Sequence, residues 1–98
     1  MMHTPRPLTP DEVKRRGIKA QDVLDNPSFL QVIQSLQAEC FDLFIASAPA
    51  ETVRREDAYM IGKGLEKIVA KLREYVQQGE NEAAMQRMAD AQRKRDIR

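Results

Sequence analysis

The sequence predicts an all-α protein: a long antiparallel αα-hairpin with short flanking helices, part of a helical oligomer or larger assembly. Three observations carry this reading. Apolar residues recur in alternating steps of three and four along two separate stretches, the spacing of a packed helical face. Proline, asparagine and glycine punctuate those stretches where helices would begin and end. No stretch alternates apolar and polar residues as a half-buried strand does.

Residues 1–10 contain Pro5, Pro7 and Pro10 and no apolar run. They read as an extended, Pro-rich arm and not as a signal peptide. Thr9 can cap a helix, Pro10 fits its first position, and Glu12 completes a capping box. Gly17 reads as a stop, because glycine tolerates the left-handed conformation that ends many helices. Two short helices are therefore expected over 11–24, the second offering Ile18, Val23 and Leu24 as contacts.

Asn26 and Pro27 open the first long helix, expected over 27–46, with Asn as cap and Pro in the first turn. Its apolar seam is Phe29, Ile33, Leu36, Cys40 and Leu43, flanked by Leu30 and Phe44. A second apolar set, Ala38, Phe41, Ile45 and Ala48, falls on nearly the opposite side. Residues 27–48 carry two charges, Glu39 and Asp42, and hold all three phenylalanines of a chain that is 32% charged. A helix apolar on two sides needs more cover than one neighbour provides.

Pro49 interrupts the pattern, and a short connection of this kind joins antiparallel helices. The second long helix is expected over 50–78, with the seam Ala58, Ile61, Leu65, Ile68, Leu72 and Tyr75. Val69 and Val76 widen this stripe. Glu51, Glu56 and Asp57 suit the positive end of the helix dipole, and Glu51 with Arg55 reads as an ordinary helix pair. Gly79 reads as the stop. Residues 80–98 then form a weak helix and a basic tail, so that 11–79 is the helical domain proper.

Composition excludes several classes. The net charge of +1 exerts no global pull on nucleic acid or on a membrane surface. No run reaches the roughly 18 apolar residues of a membrane span. One cysteine forms no internal disulfide, which fits a reducing compartment. The expected location is the cytoplasm of a host cell, or a virion.

Candidate chemistry is sparse. Cys40 would need a neighbour that lowers its pKa to act as a nucleophile. The one histidine, His3, lies far off in the arm, so Cys40 reads as a buried structural residue. One Cys and one His do not make a zinc set. Gly62-Lys63-Gly64 lacks the spacing of a phosphate loop and has no preceding strand. Its glycines flank seam residues and read as the close approach of another helix, or a kink. Paired carboxylates at Asp11-Glu12 and Glu56-Asp57 are explained by the helix dipole. No catalytic residue, cofactor or metal site is expected, and the chain does not read as an enzyme.

The remaining candidates are surfaces. Phe41, Phe44, Ile45, Ala38 and Ala48 are the expected protein-interface residues, for a protein partner or a second copy of the chain. Lys63, Lys67 and Lys71 step by four along one helix and are the candidate phosphate contacts of an alternative reading, a nucleic-acid-associated accessory protein. A further alternative is a helical inhibitor that binds a host protein.

The segments Leu24-Asp25-Asn26-Pro27-Ser28-Phe29, Arg54-Arg55-Glu56-Asp57-Ala58-Tyr59 and 65–79 form a pattern of caps, seam residues and polar bend. Over residues 24–79 it resembles small helical proteins encoded among the head and packaging genes of tailed bacteriophages. The resemblance implies a virion component or assembly factor that acts by helix packing. It transfers no catalytic residue.

Overall fold

A computed structural model describes residues 6–96 of the chain. His3 and the rest of residues 1–5 of the expected arm, and residues 97–98 of the expected tail, lie outside that range. The described chain is all-helical, with three helices: α1 (Pro10–Leu24), α2 (Pro27–Ala46) and α3 (Thr52–Asp96). They form an elongated body of 74 × 38 × 19 Å. Its length comes from the 45 residues of α3, which span about 67 Å at about 1.5 Å per residue.

The start of α1 follows from its capping chemistry. The Thr9 hydroxyl accepts from the Glu12 N–H at 3.2 Å, and the Glu12 carboxylate accepts from the Thr9 N–H. The Arg6 guanidinium then clamps the same carboxylate with two hydrogen bonds, at 2.8 and 3.0 Å. Arg6, seconded by Thr9, holds the Glu12 carboxyl down at about 2.

α1 and α2 are separated by a two-residue break. Asp25 closes α1 by donating its N–H to the Gln21 carbonyl at 2.8 Å. Asn26 is extended, as a residue before proline must be, and its Oδ1 accepts from Ser28 and Phe29 N–H groups at 2.9 and 3.3 Å. Ser47 to Glu51 connect α2 to α3. There Glu51 accepts a side-chain hydrogen bond from the Ala48 N–H and returns its own N–H to the Ala48 carbonyl.

Two expected stops do not stop anything. α1 runs through Gly17 and α3 runs through Gly79, so 11–24 is one helix rather than two. Residues 80–96 are the far end of α3 rather than a separate weak helix. No described residue has a positive φ, so neither glycine supplies the left-handed conformation that motivated the expectation. Their role is contact. α1 lies across the C-terminal half of α3 with the two glycines facing each other, both buried. A Cβ on Gly17 would stand 2.9 Å from the Tyr75 carbonyl oxygen and 3.0 Å from the Gly79 Cα. On Gly79 it would meet the Gly17 Cα at 3.1 Å. The absent side chains let two backbones touch, as small residues do at tight helix crossings. Arg16 braces the crossing, its guanidinium 3.9 Å from the Tyr75 ring centre and bonded to the Gln78 side chain at 2.6 Å. Lys14 donates to Gln86 one step further along.

α2 packs on the other half of α3. The shared cluster is Ile33, Cys40 and Leu65, with Phe29 and Val69 partly buried against it. Near the connection, Arg55 stacks 4.4 Å over the Phe44 ring, which replaces the expected Glu51–Arg55 pair; Glu51 pairs with Arg54 instead. α3 begins at Thr52, two residues after the expected position, because Pro49 and the Glu51–Ala48 bonds hold the intervening backbone in a turn.

Substitution at the crossing has a definite sign. Gly17→Ala gains about 1 kcal/mol of helix propensity but drives a methyl into backbone atoms that side-chain motion cannot clear, at about 1–3 kcal/mol. The variant is expected to melt below the native chain, whereas Gly62→Ala, which meets only Cys40 Cβ at 4.0 Å, is expected to melt at or above it. Equal gains at both positions in thermal unfolding would contradict the crossing. The cap has its own pH signature. Because folding holds the Glu12 carboxyl below its ordinary value, the Arg6 contact stabilises α1 above the ordinary carboxylate range. That contribution disappears as the pH falls toward about 2. An NMR titration should place the Glu12 midpoint near that low value and return it upward in Arg6→Ala. An ordinary midpoint in the native chain would refute the clamp.

Candidate interaction surface

Among the described residues, the buried hydrophobic side chains are Ala20, Ile33, Cys40, Ala58 and Leu65, and no side chain is completely enclosed. That is a thin core for a 98-residue chain. The apolar residues missing from it are on the surface.

They fall on both sides of the α2–α3 contact. Cys40 and Ala58 lie on the contact itself. On one side, Phe41 and the edge of Phe44 line an apolar groove with Tyr59, Gly62 and Lys63. Phe41 and Ile45 are each 64% exposed, and Tyr59 57%. On the other side, Leu43 and Ile61 line a second groove beside the connection. Seven residues further along each helix come Leu36 and Ile68, also exposed. α1 covers neither stretch of α2. It lies on α3, with Ala20 buried, Leu24 partly buried and Ile18 64% exposed, and it leaves Phe41 and Ile45 uncovered.

The expected interface residues therefore separate. Ala38, Phe41 and Ile45 are exposed on α2. Phe44 points inward under Arg55 and is half-buried within the chain. Ala48 is not on α2 at all; it sits in the connection, its backbone held by Glu51. The expected seam is also divided. Ile33 and Cys40 face α3, but Leu36 and Leu43 do not, and Gln37 and Phe44 take the intervening inward places. Leu36, Leu43, Ile61 and Ile68 form a surface that sequence reasoning assigned to the hairpin interior. The signal that could have found it is the regularity of the seam: one helix contacts one side of such a stripe, not its whole width.

The lysine row is interleaved with carboxylates. Lys63 pairs with Glu66 at 3.3 Å and Lys71 with Glu74 at 3.2 Å. The same two lysines lean over Tyr59 and Tyr75. Cys40 is buried in the Ile33–Leu65 cluster. Among the described residues no three His, Cys, Asp or Glu side chains gather as a metal cluster would, and no helix is long and apolar enough to cross a membrane.

Of the two glycines between Ile61 and Leu65, Gly62 lies at contact distance from Cys40. Gly64 has nothing within 4 Å, so no element of its own chain accounts for it. Comparison with known protein families, curated proteins and solved structures finds no match to this chain.

Proposed function

We propose that this chain is an assembly protein that acts by packing its helices against other protein surfaces, its own copies included. In this reading α2 and α3 form a long antiparallel hairpin. Its support is the order of their contacts: Phe44 meets Arg55, Cys40 meets Gly62, and Leu30 and Ile33 share a groove with Val69 and Arg73. The observation that carries the reading is exposure. Phe41, Ile45 and Tyr59 on one side, and Leu36, Leu43, Ile61 and Ile68 on the other, stand in water in a chain with almost no enclosed core. Apolar patches of this extent mark interaction sites, and burying the exposed part of each such side chain is worth about 1–2 kcal/mol. The likeness of residues 24–79 to small phage head and packaging proteins supports a role in a virion or its assembly, in the virion itself or in the host cytoplasm. The reading assigns no catalytic residue.

The direct test is the state of association of the purified chain. Sedimentation should give a mass above that of one chain, and the melting temperature should rise with protein concentration, as it does for mutually stabilising subunits. A sharp single-chain mass with a melting temperature unchanged on dilution overturns the reading. A pair of variants separates packing from charge. Phe41→Asp is expected to weaken the assembly that forms through its face by roughly ten- to a hundredfold, since large buried side chains dominate interfaces. Lys67→Glu should change it by less than threefold, as exposed charges usually do. If Lys67→Glu has the larger effect, and the native chain shifts duplex DNA steeply with salt, the nucleic-acid alternative takes its place.

A further inference from the structure

The two apolar sides of the hairpin are not equivalent, and one of them has the pattern of half a four-helix bundle. Along α2 the residues Ile33, Leu36, Cys40 and Leu43 alternate: Ile33 and Cys40 are buried against α3, while Leu36 and Leu43 are exposed. Along α3 the residues Ala58, Ile61, Leu65 and Ile68 alternate in the same way, with Ala58 and Leu65 buried and Ile61 and Ile68 exposed. In a four-helix bundle each helix directs one set of seam residues at its neighbour and the alternate set at the facing pair. The first set is satisfied within this chain. The alternate set, contributed by both helices to one side, is not.

We infer that this side is covered by a second copy of the chain, giving a two-fold symmetric four-helix bundle in which α2 of one protomer lies against α3 of its partner. This rests on the assembly reading above and names the partner for one of its two faces.

Three observations favour a second copy. The first is area. The chain exposes 8188 Å² at a mass of 11.2 kDa, about 2,500 Å² more than the roughly 5,700 Å² of a compact monomer of that mass. A standard interface removes about 800 Å² from each partner, so the excess accommodates one such contact and leaves the Phe41 side for another. The second is register. Leu43 and Ile61 line the same groove, and Leu36 and Ile68 follow them at seven residues on each helix. The two apolar layers are therefore level across the hairpin, as a self-complementary two-fold contact requires. Gly64 lies between Ile61 and Ile68 with open space around it, leaving room for a partner helix to approach as α1 does at Gly79.

The third observation is charge, and it selects the pairing. α2 carries Glu39 and Asp42 and no cation, whereas α3 carries the lysine row on its outward side. Placing α2 against the partner's α2 would set acidic rim on acidic rim. Placing it against the partner's α3 sets it beside residues 52–73, where cations outnumber acids and Arg54 borders the groove of Leu43 and Ile61. Rim charges of this kind choose orientation more than they supply affinity, which is consistent with a small effect of Lys67→Glu.

The experiment uses the full chain in single-cysteine additions, Leu36→Cys and Ile68→Cys, one of them carrying a size tag, with a short bifunctional maleimide. The native chain, whose own Cys40 is buried, serves as the control for background linkage. The mixture is expected to give a tagged–untagged linked dimer at least fivefold above the self-linked product of either variant alone. Leu36→Cys linking to itself more efficiently than to Ile68→Cys overturns the pairing. In parallel, Leu43→Asp and Ile61→Asp are each expected to lose the two-fold dimer at unchanged helical content, while Phe41→Asp keeps it and loses only association through its own face. Both positions are already half-exposed in the single chain, so a folded monomer should tolerate them; if one variant unfolds, the other still decides. A native oligomer that survives both substitutions and is lost in Phe41→Asp overturns this inference and leaves the assembly reading standing. A native chain that is monomeric at every concentration removes both.

Discussion

Two helices lying side by side can bury only one stripe of each other, and the consequences of that constraint run through this molecule. α2 and α3 both carry apolar stripes wider than a single partner can cover. Their mutual contact encloses Ile33, Cys40 and Leu65 and then has no more surface to offer. Everything outside that line stays in water unless another helix arrives. For the C-terminal half of α3 that helix is α1, which reaches it because the break at Asp25 and Asn26 allows the chain to change direction before α2 begins. For the N-terminal half no further element of the described chain exists.

The crossing of α1 over α3 shows how the fold handles close approach. Gly17 and Gly79 hold no special backbone conformation. They are there because anything larger would separate the two helices and with them the Arg16–Tyr75 stack and the Arg16–Gln78 bond. The contact is local in its chemistry but sets the shape, since it fixes where α1 ends and so where α2 must start. At Gly64, by contrast, a Cβ would meet nothing within 4 Å.

Much of this was legible in the sequence, and the parts that were not share a physical cause. Capping is a matter of adjacent residues, so Thr9, Glu12, Asn26 and Pro27 marked the starts of α1 and α2 from sequence alone. Periodicity is likewise local, and it located the apolar stripes. What it does not specify is the angle at which a neighbour meets a stripe. That is why Phe44, beside the seam and expected at an interface, lies under Arg55, and why Leu36 and Leu43, expected within the seam, are exposed. Gly17 and Gly79 depart from expectation for a related reason: a glycine that ends a helix and a glycine that admits another helix look the same until the other helix is known.

In the proposed assembly α2 and the N-terminal half of α3 are completed by association, whereas the α1–α3 crossing is complete within one chain. Amide hydrogen exchange measured at several protein concentrations tests this residue by residue. Protection around Leu36–Leu43 and Ile61–Ile68 should increase with concentration, while protection near Gly17 and Gly79 changes less. Protection that is the same at every concentration throughout α2 and α3 would contradict it.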